Sequence, residues 1–351
     1  MPAALYDLDR DALTDLLGHQ PGYRLDQLWT GLYRQFRRLD EMTSLPKGLR
    51  SDLTERLAPS LRLSVRSTSA DEQTSKFLWA LHDGRQIETV LMLYPDRATV
   101  CVSTQAGCAM ACGFCATGQG GFDRQLSPGE IIEQVIEAAR VAAPRRVSNI
   151  VFMGMGEPMA NYDAVWTAVR RLHDDVGISA RHLTVSTVGI IPGIRRLATE
   201  ELPVNLAVSL HAANDRLRDE LVPINKRYPL TDLADACAAY LAAKHRRLSF
   251  EWAMIAGTND SMTDAAQLAA YAGPLRAHVN LIPLNPTPGW PTVGSTPGVV
   301  AQFRDHLESL GINATIRANR GTDIDAACGQ LRAENVVPVQ MAAIRRPALT
   351  D

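Results

Sequence analysis

Apolar residues in the first part of the chain recur at the spacing of an amphipathic helix. Leu25, Leu28 and Leu32 fall on one face at the helical period, with polar residues between them. The segment Leu45-Pro46-Lys47-Gly48, further along, has the composition of a turn. Residues 1–60 are therefore predicted to form a small helical accessory domain.

A second pattern, in which apolar and polar residues alternate, follows the helical part. It occupies residues 61–65 and 87–92, and Asp83-Gly84 lies between the two stretches. Alternation of period two is typical of strands with one buried face, and an Asp-Gly pair is typical of a hairpin turn. Residues 61–95 are predicted to form a short β connector.

Beyond residue 95, short apolar strands alternate with longer stretches of helical periodicity. Because parallel strands need crossover connections, this alternation predicts a parallel sheet in an α/β fold. About six such units fit a partial α/β barrel, and a doubly wound open sheet is the competing architecture. The predicted strands are 98–103, 149–153, 182–187, 204–210, 248–255, 278–284 and 313–317. The predicted helices include 127–142, 230–244, 262–274 and 297–310.

Polar and glycine-rich segments fall at the C-terminal ends of the predicted strands. In α/β barrels the loops at that end converge into an active site, so the sequence predicts one shared site. We expect the barrel to span residues 96–340 and residues 341–351 to form a C-terminal tail. The segments at the strand ends are Gly107-Cys108, Gly154 to Pro158, Ser186-Thr187, Ser209 to His211, Asn285-Pro286 and Asp323 to Cys328.

Composition and charge narrow the class of protein. The chain has 351 residues, with 36 Lys and Arg against 38 Asp and Glu, so no long-range positive field marks it as a nucleic-acid binder. Any affinity for RNA must be local. No apolar run approaches the roughly 20 residues that a membrane span needs, and a cytoplasmic protein is expected. Basic clusters occur at Arg34 with Arg37 and Arg38, at Arg145-Arg146, at Lys244 to Arg247 and at Arg345-Arg346.

Three cysteines on one short segment are the most specific indication of function in the sequence. Cys108, Cys112 and Cys115 provide three thiolates, and thiolates select iron–sulfur clusters or zinc. A zinc site would need a distant fourth ligand, because no further Cys or His lies within this loop. A Cys112–Cys115 redox pair and plain buried cysteines also remain open. Cys237, in an Ala-rich helical stretch, is predicted to be a buried packing residue.

The spacing of Cys108, Cys112 and Cys115 resembles the signature of the radical S-adenosylmethionine (SAM) superfamily. The resemblance implies a 4Fe-4S cluster with one open iron, which the amino and carboxylate groups of SAM chelate. An electron from the cluster then cleaves SAM to a 5′-deoxyadenosyl radical. Glu157, on the glycine-rich turn one strand later, matches the superfamily segment that binds the amino group of SAM.

Longer stretches of the chain resemble the RlmN family of RNA methyltransferases. The resemblance implies methylation of C2 of an adenosine in the peptidyl-transferase centre of 23S rRNA and of the adenosine 3′ to the anticodon in tRNAs. Cys101 and Cys328 together are specific to RlmN and its relative Cfr. The matching segments are 36–50, Lys76 to Leu81, Glu88 to Val90, Cys101 to Cys108, Met153 to Pro158, Asn280 to Asn285 and Asp323 to Leu331.

The same resemblance implies a mechanism through an S-methylcysteine. One SAM methylates Cys328, and the radical from a second SAM abstracts a hydrogen atom from that methyl group. The resulting carbon radical adds to C2 of adenine, with Glu88 as proton acceptor. Cys101 then attacks the sulfur of Cys328, which forms a transient disulfide and releases the methylated RNA.

The family also supplies the remaining expectations about the site and its partners. A reducing electron donor such as flavodoxin and a monomeric protein are implied, together with 23S rRNA and tRNA as substrates. Phe114 is expected either near the adenine of the cofactor or in the core. The expected SAM contacts are Gly156, Glu157, Ser186, Ser209, Leu210, His211 and Asn285.

Three competing functions remain open at the level of sequence. A Cfr-like adenine-C8 methyltransferase needs the same cysteines, although the N-terminal helical segment and the run around Cys328 look more like RlmN. A non-methylating radical SAM enzyme would have no need of Cys101 and Cys328. The third is a zinc module that binds RNA without catalysis.

Overall fold

The computed structural model describes residues 2–285, 293–318, 320–326 and 330–331. Cys328 and the predicted tail, 341–351, lie outside the described residues.

The N-terminal part contains the three helices α1 (Arg10–Leu17), α2 (Tyr23–Tyr33) and α3 (Lys47–Arg56). The amphipathic pattern of α2 is confirmed, because Leu28 and Leu32 are fully buried. The turn predicted at residues 45–48 is wrong: Pro46 is the N-cap of α3, which starts at Lys47. Proline lacks an N–H and has a fixed φ, so it fits the first positions of a helix as well as a turn. Two short strands flank this part, β1 (Ala3–Ala4) and β2 (Leu57–Ala58), and pair in parallel.

The segment predicted as a connector forms three antiparallel strands, β3 (Leu61–Thr68), β4 (Thr74–Leu81) and β5 (Gln86–Leu93). The hairpin turn at Asp83-Gly84 is confirmed between β4 and β5. Strand β4 is absent from the sequence prediction. It is buried on both faces, so its apolar residues run continuously and the period of two disappears.

The seven strands predicted beyond residue 95 are confirmed, with ends shifted by one or two residues. A further pair, β7 and β8, forms a separate two-stranded sheet. The strands are β6 (Ala98–Cys101), β7 (Gln105–Gly107), β8 (Phe122–Gln125), β9 (Val147–Phe152), β10 (Leu183–Thr187), β11 (Asn205–Ser209), β12 (Leu248–Met254), β13 (His278–Pro283) and β14 (Ala314–Ile316).

In the part of the chain that the structure describes, the main sheet has ten strands in the order β14-β13-β12-β11-β10-β9-β6-β5-β4-β3. Neighbours from β14 to β6 are parallel, and β5 joins β6 in antiparallel fashion. A doubly wound sheet reverses its strand order at a switch point, whereas here the parallel strands follow one another without reversal. This order confirms the α/β barrel type of winding.

Helices connect the parallel strands, and the four predicted ones are confirmed. Helix α5 (Pro128–Ala142) begins with a capping box between Ser127 and Glu130 and packs against the N-terminal part through Asp7, which accepts from Gly129 N at 2.7 Å. No helix in the described ranges is long and apolar enough to cross a membrane. The helices are α4 (Ala116–Gln119), α5 (Pro128–Ala142), α6 (Tyr162–Asp174), α7 (Ile191–Thr199), α8 (Asp215–Leu221), α9 (Leu230–Lys244), α10 (Met262–Ala272) and α11 (Pro297–Ser309).

Candidate active site

Two adjoining cavities open at the C-terminal ends of the parallel strands. The first, which we call the three-cysteine cavity, has a volume of about 160 Å³ and is lined by Cys108, Cys112 and Cys115. The second, the Cys101 cavity, has a volume of about 240 Å³. The structure therefore brings four of the sequence-predicted cysteines to one place. Both cavities share the lining residues Cys115, Thr117, Met153, Gly154 and Arg317.

The cysteine loop runs from the end of β7 into α4. Cys108 N donates to Gly121 O at 2.6 Å, and Cys115 N donates to Cys112 O at 3.1 Å. Burial raises the pKa of the Cys108 thiol to about 12 and that of Cys112 well above its ordinary value. Because burial favours neutral thiols, these groups become thiolates only beside a strongly positive partner such as iron.

The glycine-rich turn after β9 brings its backbone close to the cysteine segment. A Cβ on Gly154 would lie 2.7 Å from the carbonyl carbon of Val102, and Gly156 has a φ of +98°. Both positions therefore require glycine, one for close approach and one for conformation. Glycine here leaves the turn open towards the three-cysteine cavity, which both residues line.

Glu157 lines the same cavity and is almost fully buried. Its Oε1 accepts from Met159 N at 2.9 Å and its Oε2 accepts from Val188 N at 2.8 Å. Burial raises the pKa of Glu157 to about 7, against the opposing effect of these hydrogen bonds. A cation that enters the cavity would meet this carboxyl, whose remaining lone pairs can accept further hydrogen bonds.

Three more of the predicted contacts, Ser186, Ser209 and His211, line the three-cysteine cavity. His211 Nδ1 accepts from Ala253 N at 3.0 Å, which leaves Nε2 as the nitrogen that carries the proton. Burial and the nearby Arg218 lower the pKa of His211 to about 3, so the ring is neutral. Phe114 packs edge-on against it with 4.5 Å between ring centroids and also lines the cavity.

Two predicted contacts do not line this cavity. The side chain of Leu210 is fully buried in the main hydrophobic core, although its neighbours on both sides reach the cavity. Asn285 is buried directly after Leu284, which is a lining residue.

Arg218, which the sequence analysis missed, holds the loops after β10 and β11 together. Its guanidinium is fully buried and donates to Val188 O at 2.7 Å, Leu210 O at 3.1 Å and Asn225 Oδ1 at 2.8 Å. All three acceptors lie outside the helix that carries Arg218, so no motif in the neighbouring sequence predicts its role. It positions the backbone that carries Ser209 and His211.

Cys101 ends β6 and is paired in the sheet with Val90 on one side and Val151 on the other. It lines the Cys101 cavity together with Ala326 and Leu331, which lie two residues before and three residues after Cys328 in the sequence. Thr117 fixes one of these flanks, because its hydroxyl donates to Leu331 O at 2.6 Å.

Glu88 lies on β5, on the same face as the cavity-lining residues Val90 and Met92. Its carboxylate is almost fully buried, and Oε1 is 3.1 Å from Lys76 Nζ on β4. Lys76 Nζ also donates to Asp325 O at 3.3 Å, three residues before Cys328 in the sequence.

The donor set of these cavities fits the cofactors that the sequence implies. Three thiols, a buried carboxyl and two glycines that leave the backbone accessible converge on one cavity. Within the described ranges, no group of three His, Cys, Asp or Glu side chains is arranged as a site for a single metal ion.

The fold and the site define a radical SAM enzyme. The family model of the radical SAM superfamily matches residues 102–269, from the end of β6 into α10. A crystal structure of a radical SAM methyltransferase from Sphaerobacter thermophilus superposes with a TM-score of 0.91 at 50% identity and covers 95% of this chain and 100% of that one. The predicted radical SAM barrel is thereby confirmed.

Two curated relatives establish the family within this superfamily. The probable dual-specificity RNA methyltransferase RlmN of Chloroflexus aurantiacus is 50% identical over 98% of this chain and 96% of its own length. That of Salinispora arenicola is 49% identical over 95% of this chain and 91% of its own. The chain belongs to the RlmN family and is a radical SAM RNA methyltransferase.

Proposed function

We propose that the protein methylates C2 of an adenosine in 23S rRNA and of the adenosine 3′ to the anticodon in tRNAs, with Cys328 as the methyl carrier. One observation carries this proposal: Cys101 and Cys115 line one cavity with Ala326 and Leu331, which flank Cys328 in the sequence. A radical SAM enzyme that transfers no methyl group would have no use for a second cysteine pair beside the cluster ligands.

The residues for the cofactors follow from the three-cysteine cavity. Cys108, Cys112 and Cys115 would hold a 4Fe-4S cluster, and Glu157 would accept from the amino group of SAM. When bound, the cluster and SAM supply the methyl group and the 5′-deoxyadenosyl radical. The other proposed SAM contacts are Gly156, Ser186, Ser209, Leu210, His211 and Asn285.

Cys101 releases the product in this proposal. Its thiolate attacks the sulfur of Cys328, so that an S–S bond forms while the bond between that sulfur and the nucleotide-bound carbon breaks. The electron pair of the broken bond remains on the carbon, which takes up a proton and becomes the methyl group. The resulting disulfide must be reduced by two electrons from a dithiol reductant before the next turnover.

Glu88 takes the proton from C2 once the carbon on Cys328 has bonded to it, and the adduct also gives up one electron, for which the cluster, when bound, would be the acceptor. Lys76 is the positioning residue of Glu88. A neighbouring cation favours the ionised form of a carboxyl group, and only that form can accept a proton. Lys76 also holds the carbonyl of Asp325, so it connects the proton acceptor to the segment that leads to Cys328.

RNA is expected to approach across an arginine–tyrosine cluster at the rim of the Cys101 cavity, formed by Tyr94, Arg97, Arg145 and Arg320. The Cζ atoms of Arg97 and Arg320 lie 4.1 and 4.2 Å from the centroid of the Tyr94 ring. Arg145 donates to Tyr94 O at 3.2 Å. Tyr94 and Arg320 also line the cavity itself, so phosphates on this cluster would place a nucleotide at its mouth.

The proposed domains are an accessory RNA-binding unit at 1–60, a β connector at 61–95, the barrel at 96–340 and a tail at 341–351. A reducing donor such as flavodoxin, a monomeric state and a cytoplasmic location complete the proposal.

Nucleoside analysis tests this function directly. The gene is deleted in its host, and 23S rRNA and tRNA nucleosides are analysed by mass spectrometry with and without the gene restored. We expect 2-methyladenosine to disappear from both RNAs in the deletion strain and to return on complementation. Loss of 8-methyladenosine instead would identify the Cfr-like activity, and unchanged nucleosides would exclude both.

A further inference from the structure

A third cavity lies at the N-terminal ends of parallel strands of the main sheet. Its volume is about 820 Å³, and it is formed where β12, β13 and β14 begin. The residues before these strands, His245 to Arg247, Arg276 and Asn313, line it together with His278. None of the described residues that line this basic pocket is acidic.

The three arginines of the basic pocket, Arg246, Arg247 and Arg276, form no ion pair with any residue in the described ranges. Among the described residues, Arg246 reaches only Asn205 Oδ1, at 3.5 Å, and its buried Nε has no hydrogen-bond partner there. Like charges that share a cavity repel one another, so a bound anion would stabilise this arrangement.

His278 adds a buried hydrogen-bond acceptor to the pocket. Asn280 Nδ2 donates to Glu251 Oε1 at 2.8 Å, so its Oδ1 is the atom that faces His278 Nε2 at 2.9 Å. Nε2 must therefore carry the proton, and Nδ1 has the lone pair. His278 is 7% exposed, and the side chain of Asn313, another lining residue, lies beside its ring without a hydrogen bond of normal geometry to Nδ1.

The backbone at both sides of the pocket is held in the left-handed region without glycine. His245, the C-cap of α9, has a φ of +49°, and Arg276 has a φ of +47°. Non-glycine residues in this conformation are strained and occur preferentially at functional sites. Here the strained residues are two of those that line the basic pocket.

We propose that the basic pocket binds a ribose phosphate, carried either by an RNA chain or by a free ribonucleotide. The arginines match the phosphate, and His278 Nδ1 matches a ribose hydroxyl, which can donate to it. The proposal goes beyond the methyl transfer, because no residue that lines the pocket lines either active-site cavity.

Calorimetry of uridine 5′-monophosphate binding to the whole protein tests the pocket. A uridine nucleotide is chosen because the proposed active site binds adenine. We expect R246Q/R247Q/R276Q to weaken binding at least tenfold and the charge-preserving R246K/R247K/R276K to weaken it less. R62Q/R85Q/R195Q removes the same charge from exposed residues away from the pocket and should bind like wild type. His278→Phe should abolish a preference of the wild type for the ribonucleotide over its 2′-deoxy form.

Measurement of tRNA binding by the same variants distinguishes the two sources of the phosphate. If RNA is the ligand, R246Q/R247Q/R276Q also weakens tRNA binding and makes it less salt-dependent. If a free ribonucleotide is the ligand, only uridine monophosphate binding falls. Unchanged affinity of R246Q/R247Q/R276Q for both probes overturns the proposal. This holds even if the variant has a lower melting temperature, because the arginines would then only stabilise the C-terminal ends of the helices. SAM cleavage should be unaffected by these variants, so failure here leaves the methyltransferase proposal standing.

Discussion

Lys76 Nζ and Glu88 Oε1 are 3.1 Å apart on neighbouring antiparallel strands, and both side chains are largely buried. The same ammonium donates to Asp325 O, so one cation connects a buried carboxylate with the segment that precedes Cys328. A buried ion pair of this kind contributes little net stability, because desolvation of both charges offsets their attraction. Its location beside the Cys101 cavity points to a role in proton transfer.

The first prediction concerns this pair. Glu88→Gln should lower methyl transfer to RNA by roughly 10²–10⁴, as loss of a general base does, while Cys328 is still methylated by SAM. Lys76→Met should move the acidic limb of the pH–rate profile to higher pH, because a carboxylate without its cation is protonated more readily. The measurement is single-turnover methyl transfer across pH.

Lys76→Arg is the matched control, because it preserves the charge and should leave the limb near its wild-type position. A fully active Glu88→Gln would remove Glu88 from the mechanism. If Glu88→Gln is inactive but the pH–rate profile of Lys76→Met is not shifted, only the positioning role of Lys76 is contradicted.

The second prediction concerns the cluster ligands. Cys108→Ala, Cys112→Ala and Cys115→Ala should each lose the brown absorbance of a reconstituted cluster and the cleavage of SAM, because two thiolates hold a cube poorly. Cys237→Ala is the control, since Cys237 is buried inside α9 and should keep both properties. Full iron and sulfide content in any of the three variants would contradict the assignment.

The third prediction concerns the arginine–tyrosine cluster. R97Q/R145Q/R320Q should weaken tRNA binding and flatten its dependence on salt by about 0.7–0.9 logarithmic units for each phosphate that is no longer neutralised. R62Q/R85Q/R195Q, with the same change in charge on exposed residues outside 1–60, should retain the wild-type slope. Binding isotherms at several salt concentrations measure both. If the two triple variants behave alike, the cluster makes no specific contact with RNA.

The fourth prediction concerns Arg218. Arg218→Met should lower the free energy of unfolding by about 3 kcal/mol, because it leaves several buried carbonyl groups without a donor. It should also weaken SAM binding, since the backbone around Ser209 and His211 loses its support. Thermal unfolding and equilibrium dialysis with SAM measure the two effects. An unchanged melting temperature would show that water replaces the guanidinium at no cost.

The sequence predicts most of the barrel because its strands and helices alternate with different hydrophobic periods. It predicts the three-cysteine site because Cys108, Cys112 and Cys115 lie on one loop, where their spacing resembles the radical SAM signature. Strand β4 is missed because burial on both faces removes its alternating pattern.

Residues whose partners are distant in sequence could not be predicted in the same way. Arg218 and Lys76 act through groups on other elements, and only the folded chain brings those groups together. In the arginine–tyrosine cluster, Arg320 stacks on the ring of Tyr94, and no sequence motif contains both residues. The sequence predicts Arg145 as one member of a basic cluster, but it does not predict its proximity to Tyr94.

The central claim, that Cys328 carries the methyl carbon and Cys101 releases it, is tested most directly by mass spectrometry of Cys101→Ala purified from cells and treated with nuclease. A thioether adduct is stable until another thiolate attacks its sulfur, so this variant should carry a nucleotide on Cys328. Cys328→Ala should carry neither methyl nor nucleotide while it still assembles the cluster. A Cys101→Ala protein that is free of RNA and normally active would contradict the account.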